Sequence, residues 1–351
     1  MNINFWLFDL KLARTWAVSS NAASGGQDVF TIVLVELEDD QGRRGVGEAA
    51  PSSRYNESAK TVKAFLKRVD PNRLSFANVV ASMDYLESVA PGNYAAKTAI
   101  NLALLDAAGR HAGEPIYELL NLGFTENQHV TSFSVGIDRP EIIRQKVLEA
   151  DGYPVLKLKV GSPNDRENLA ALREVAPKKP VRVDANEGWT TKEEALRSLE
   201  WLAADGNIQF VEQPMPVSTP ARELSWLRKR SPLPLFADES YHHAKDVALC
   251  SECFHGVNVK LVKAGGITGA HEALLAARKA GLKTMIGCMI ESSVLISAAA
   301  HLAELADYLD LDGNLLITND PYAGVTADRG VLAFASALET TGLRVRARQA
   351  E

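Results

Sequence analysis

The sequence predicts an α/β protein, a parallel barrel of repeated strand–helix units preceded by an α+β module. Three observations carry this. From residue 130 onward short apolar runs alternate with helical stretches. The residues closing the second to eighth runs stand at 159, 184, 212, 238, 260, 287 and 312, a spacing of 22 to 28 that fits one strand, one helix and two loops. The first third shows no such repeat, and no Gly-rich phosphate fingerprint follows the first strand, which disfavours a doubly wound sheet.

Taken in order, Phe30–Glu38 is rich in β-branched residues and ends at the turn signal Asp39-Asp40-Gln41-Gly42. Gly45–Ala49 follows, so the two read as a hairpin. Ser58–Val69 and Tyr94–His111 space apolar residues at three and four, as amphipathic helices do, and the second stops at Gly113-Glu114-Pro115. Residues 1–125 therefore read as the α+β module. The barrel strands are expected at Val130–Ile137, Val155–Val160, Val181–Asp184, Ile208–Glu212, Leu235–Asp238, Val257–Lys260, Thr284–Gly287 and Tyr308–Asp312, within a barrel domain spanning 126–325. No clear helix follows the eighth, which makes the barrel (β/α)7β. The segment 326–351 is expected to return to the N-terminal module.

Composition narrows the function. The 351 residues carry 38 Lys+Arg against 44 Asp+Glu, a net charge of −6, which argues against a nucleic-acid partner. The longest apolar run, Val294–Ala303, is too short to span a bilayer and contains His301. Met1–Trp16 interrupts its apolar residues with Asp9, Lys11 and Arg14, unlike a secretory signal. Three cysteines cannot build a complete disulfide framework. The expectation is a reduced, cytoplasmic protein with a small-molecule substrate, no membrane partner, and self-association left open.

The residues that close the runs are Lys157 and Lys159, Asp184 and Asn186, Glu212, Asp238, Lys260, Glu291, then Asp310 and Asp312. In a parallel barrel all strand C-termini share one rim, where active sites are built. Asp184, Glu212 and Asp238 come from consecutive strands, and three hard oxygen donors suit Mg²⁺, one ion per subunit. Lys157 and Lys159, at i and i+2, face one side of their strand. Lys260 lies across the barrel. Two ammoniums flanking a cation suit removal of the weakly acidic proton next to a carboxylate, with Lys157 and the metal stabilising the enediolate. The cation and a second ammonium should lower a lysine toward the base range. One lysine removes the proton and the other returns it on the opposite face, which inverts the carbon.

These motifs are K-L-K at Lys157–Lys159, D-A-N at Asp184–Asn186, V-E-Q-P at Val211–Pro214, A-D-E-S at Ala237–Ser240 and N-V-K-L-V-K-A-G-G at Asn258–Gly266, with G-V-G-E-A at Gly45–Ala49. In this order the chain resembles the enolase superfamily, muconate-lactonizing-enzyme subgroup. The resemblance implies a modified TIM barrel, (β/α)7β, with an N-terminal α+β capping domain. It also implies Mg²⁺ on Asp184, Glu212 and Asp238, and acid/base roles for Lys159 and Lys260. Within the subgroup the chain looks most like the dipeptide epimerases of the L-Ala-D/L-Glu type. There Asp310-x-Asp312 would hold the substrate's free ammonium. Family members that read a glutamate side chain commonly carry an arginine in a mobile loop of the capping domain. Here that loop, Ser19–Gln27, has no cation, and Arg14, Arg43, Arg44 and Arg54 are the candidates to replace it.

Each residue has a duller reading. A carboxylate closing a strand is often a solvated loop residue or a helix cap. Asn186 and Gln213 either orient the metal carboxylates or make structural hydrogen bonds. Glu291 lines the pocket or does not, Lys263 is an ion-pair or loop residue rather than a second base, and Glu48 is a cap–barrel contact or a hairpin charge. Cys250-x-x-Cys253, with no matching second pair, reads as a reduced structural pair. Rival functions are a muconate cycloisomerase or o-succinylbenzoate synthase on the same site, a Schiff-base aldolase using Lys159 or Lys260, and a non-catalytic binding protein on a barrel scaffold.

Overall fold

A computed structural model describes residues 1–349. The N-terminal sheet has three antiparallel strands, β1 (Asn2–Trp16), β2 (Gln27–Glu38) and β3 (Arg44–Ala49), in the order β1-β2-β3. The expected hairpin is thus the inner part of a larger sheet. Strand β1 carries a weak sequence signal because its charges alternate with its apolar residues on an edge strand, where only Leu10 is fully buried.

Helices α1 (Ala59–Leu66), α2 (Val79–Val89) and α3 (Tyr94–Ala112) cover this sheet. Ser58 and Thr61 form a capping box that starts α1. The Ala-rich α3 packs so tightly on β3 that a Cβ at Gly45 or Gly47 would come within 2.0 Å of the Ala103 carbonyl or 1.9 Å of the Ala99 carbonyl. Only glycine fits there. The short α4 (Ile116–Leu119) leads out of this layer.

The barrel strands are β4 (Phe133–Val135), β5 (Leu156–Lys159), β6 (Val181–Asp184), β7 (Ile208–Glu212), β8 (Leu235–Ala237), β9 (Gly256–Lys260), β10 (Lys283–Gly287) and β11 (Tyr308–Asp310), all parallel and neighbours in chain order. Between them run α5 (Pro140–Glu149), α6 (Asp165–Val175), α7 (Lys192–Ala203), α8 (Ala221–Arg228), α9 (Val247–Cys253), the one-turn α10 (Leu261–Ala264) with α11 (Ile267–Lys279), and α12 (Ser293–Ala300). No α-helix follows β11 among the described residues, so the barrel is (β/α)7β. A bridge between Thr131 and Leu309 and the bond from Ser132 N to Leu309 O bring β4 and β11 together. No helix is long and apolar enough to cross a membrane.

Inside the barrel, alternate residues point inward. Phe210, Phe236, Met285 and Tyr308 fill the interior, and the Arg182 guanidinium lies over the Phe210 and Tyr308 rings. This aromatic floor closes the barrel one pleat below the rim. The N-terminal layer sits on that rim. Thr98 donates to Leu261 O at 3.0 Å, Asn101 to Thr268 Oγ1 at 2.7 Å, and Glu48 accepts from Ser292 N at 2.9 Å at the start of α12. Past the barrel, Leu343 N donates to Asp106 and Arg110 donates to Val345 O, tying residues 343–345 to α3.

Candidate active site

The strands bring Lys157, Lys159, Asp184, Glu212, Asp238, Lys260, Asp310 and Asp312 to one end of the barrel, all at most 7% exposed. Asp184 ends β6, Glu212 ends β7 and Asp238 follows β8, and oxygens of the three lie within 4.8 Å of one another. Such proximity repels, and each charge needs a partner. Lys159 Nζ lies 2.6 Å from Asp184 Oδ2 and Lys260 Nζ 2.8 Å from Asp238 Oδ2. Lys157, one pleat deeper than Lys159, reaches Asp184 at 3.0 Å, Glu212 at 2.7 Å and Asp310 at 2.7 Å. Lys263 Nζ meets Asp238 Oδ1 at 2.5 Å, so it is an ion-pair residue.

Electrostatics sort the carboxylates. Burial opposes charge on Asp184, but Lys157 and Lys159 outweigh it and hold its carboxyl below the ordinary value; Lys260 and Lys263 do the same for Asp238. Burial and the Asp184 charge push Glu212 up to about 7. Burial also opposes charge on Lys157 and Lys260, yet the neighbouring carboxylates raise both well above the usual lysine range. These carboxylates favour the protonated form of both lysines, and the expected lowering is the part of a bound cation.

The residues fit a divalent metal. Four ammoniums (Lys157, Lys159, Lys260 and Lys263) pair with Asp184, Glu212, Asp238 and Asp310. Asp312 and Glu239 stand beside them with no cation partner among the described residues, and burial pushes their carboxyls up to about 7 and about 8. The three buried carboxylates, with oxygens within 4.8 Å of one another, form an all-oxygen donor set that suits Mg²⁺ rather than zinc.

Asp310 ends the eighth strand, β11, and Asp312 lies two residues beyond it rather than on the strand as expected. Asp310 Oδ1 accepts from Ser132 Oγ at 2.6 Å, and Lys157 and Lys159 hold its buried carboxyl down to about 2. Asp312 Oδ2 accepts from Ser134 N at 2.6 Å. Both face a cavity of about 880 Å³ enclosed by the barrel rim, the loop after β1 and residues 50–60 of the N-terminal layer.

Several expectations need correction. Glu291 closes no strand. It lies in the β10–α12 loop, off the cavity wall, where its carboxylate accepts from Met289 N at 2.9 Å. A polar residue four places beyond a run cannot be told from its terminus by spacing alone. Neither the Asn186 nor the Gln213 side chain touches a triad carboxylate. The Asn186 backbone N–H donates to Asp184 Oδ1 at 2.9 Å, and Gln213 Oε1 accepts from the backbone N–H of Asp238 at 2.9 Å. The side chain that does hold a triad carboxylate is Asn258, whose Nδ2 donates to Glu212 Oε1 at 2.7 Å. It was legible in principle, because it stands two residues before Lys260 and shares its inward face. Arg182, two before Asp184, carried the same signal. Of the four candidate arginines, only Arg54 lines the cavity. Arg14, Arg43 and Arg44 pair with Glu149, Asp39 and Glu38. Cys250 and Cys253 are free and buried.

A (β/α)7β barrel carrying an acidic triad between lysines defines the enolase-type fold, and the comparisons agree. Residues 12–121 match the mandelate racemase / muconate lactonizing enzyme N-terminal domain, and residues 142–318 match the enolase C-terminal domain-like family. The chain belongs to this family. It is 64% identical to the L-Ala-D/L-amino acid epimerase of Pedosphaera parvula, over 99% of this chain and 100% of that one. It is 37% identical to the L-Ala-D/L-Glu epimerase of Bacteroides thetaiotaomicron, covering 95% and 85%. Among solved structures, the dipeptide epimerase of Enterococcus faecalis V583, complexed with Mg and L-Leu-L-Tyr, superposes with a TM-score of 0.87 at 29% identity and 98% coverage of both chains. These relatives are epimerases, and the chain is an isomerase of that kind.

Proposed function

We propose that this protein is a Mg²⁺-dependent dipeptide epimerase that inverts the α-carbon of the C-terminal residue by 1,1-proton transfer between two lysines. One observation carries the reading. Lys159 and Lys260 end β5 and β9, strands four places apart in an eight-stranded barrel and hence diametrically opposite, and each ammonium contacts a different carboxylate of the same triad.

Asp184, Glu212 and Asp238 would hold the cation, and Asn258 orients Glu212. Bound there, Mg²⁺ supplies Lewis-acid stabilisation of the negative charge that grows on the substrate carboxylate as the α-proton leaves. Lys157 Nζ, in the midst of the carboxylates, adds a fixed positive charge to that end. Lys159 takes the proton from one face of the α-carbon and Lys260 delivers one to the other, the roles exchanging with the substrate's configuration. Asp310 and Asp312 accept hydrogen bonds from the substrate ammonium. A muconate or succinylbenzoate has no ammonium to offer these two buried carboxylates, which disfavours the cycloisomerase and synthase readings. Residues 1–125 serve as the cap, 126–325 as the catalytic barrel, and 326–349 as a segment returning to the cap, with 350–351 outside the described residues.

The test is incubation with a dipeptide library in D₂O. Deuterium is expected at the α-carbon of the second residue, with appearance of its epimer; a library that neither exchanges nor epimerises would refute the reading.

A further inference from the structure

Arg54 is the only arginine on the cavity wall among the described residues, and it is already engaged. Its Nε and Nη2 form a two-pronged pair with Glu187 Oε2 and Oε1 at 2.6 and 2.7 Å. Glu187 is itself fixed, because Oε1 also accepts from Val217 N at 2.8 Å. Swinging the carboxylate away would strand that N–H and leave Glu187 without its cation.

The pair's position gives it a role. In the barrel order β7 stands opposite β11, and Glu187 and Glu239 follow β6 and β8, the strands flanking β7. A dipeptide whose ammonium lies at Asp310 and Asp312 extends its C-terminal half toward this wall. There the Arg54 charge is cancelled by Glu187, and Glu239 adds a carboxylate rather than a cation. Lys60 stands at the exposed rim on α1, where a solvated ammonium selects weakly.

Building on the function proposed above, we infer that Glu187, by holding Arg54, is a specificity-determining residue: it restricts the enzyme to dipeptides whose C-terminal side chain is uncharged and excludes acidic ones. An acidic side chain meets a guanidinium whose Nε–Nη2 edge is filled, and whose charge is offset, by a carboxylate anchored on the barrel.

The experiment compares α-deuterium exchange of L-Ala-L-Glu, L-Ala-L-Gln and L-Ala-L-Leu by the Mg²⁺-supplemented wild type, Glu187→Gln, and the double variant Glu187→Gln/Arg54→Gln. The wild type should favour L-Ala-L-Gln over L-Ala-L-Glu in kcat/KM by roughly tenfold or more. Glu187→Gln frees the guanidinium and should move that ratio toward glutamate by roughly tenfold, and the double variant should move it back. A merely structural defect would lower both substrates alike. A wild type that prefers glutamate, or a ratio unmoved in Glu187→Gln, overturns the inference while leaving the epimerase intact. Exchange with none of the three by the wild type overturns the proposed function and this inference with it.

Discussion

Lys157 Nζ, on β5, lies 2.7 Å from Asp310 Oδ2, on β11, reaching past β4 and the barrel seam. The contact links the two ends of the site. The ammonium that touches Asp184 and Glu212 also neutralises the first carboxylate of the Asp-x-Asp pair, and Asp312 is left as the carboxylate with no ammonium against it. The pair is thus unequal, and Asp312 should carry most of the attraction for a substrate cation.

Asp312→Asn is therefore expected to raise KM for dipeptides more than Asp310→Asn does. N-acetylation of the dipeptide should lower wild-type kcat/KM by roughly a hundredfold, and Asp312→Asn should narrow that gap. Parallel kinetics on free and N-acetylated dipeptides check this. Equal use of both forms by the wild type would contradict an ammonium site.

Lys159→Ala and Lys260→Ala should each slow epimerisation by about 10²–10⁴-fold or more. In D₂O each variant should retain α-proton exchange on one diastereomer and lose it on the other, in opposite senses. NMR of both diastereomers reads this directly. Normal turnover by Lys159→Ala would remove the two-base assignment.

EDTA should abolish exchange and Mg²⁺ should restore it. Because the cation relieves repulsion in the buried triad, it should also stabilise the fold, by about 2.7 kcal/mol at a free concentration a hundred times Kd, visible as a rise in Tm. Asn258→Ala, which frees Glu212 Oε1, should weaken Mg²⁺ binding by about 10–100-fold in calorimetric titration. Unchanged affinity would leave Asn258 without a role at the metal.

Glu48 joins the two layers. Its buried carboxylate accepts from Ser292 N and Oγ and Leu295 N at the start of α12, and burial pushes it up to about 7 from an ordinary 4.5. Between those values the folded chain keeps a proton that the unfolded chain has released. Stability from this group therefore falls as pH rises from about 4.5 through about 7, by roughly 3 kcal/mol in all. Glu48→Gln should flatten that dependence. The readout is the wild-type minus variant Tm, which should become more negative between pH 5 and pH 8.5; a constant difference would show that Glu48 does not titrate on folding.

The barrel was legible because a strand–helix unit has a nearly constant length, and because a parallel barrel places every strand end on one rim. Those two facts together predicted that Lys159, Asp184, Glu212, Asp238, Lys260 and Asp310 would meet. The alternation of a strand holds the same signal for Asn258 and Arg182, which the sequence reading did not take up, since residues two apart share a face. What sequence could not decide was partnership between elements with no fixed spacing. Arg54 finds Glu187 across 133 residues, Glu48 finds Ser292 across 244, and Lys157 finds Asp310 across 153. Local pattern specifies which way a side chain points within its own strand. Which charge cancels which depends on how the cap settles on the barrel and how the barrel closes, and only the packed chain sets those distances.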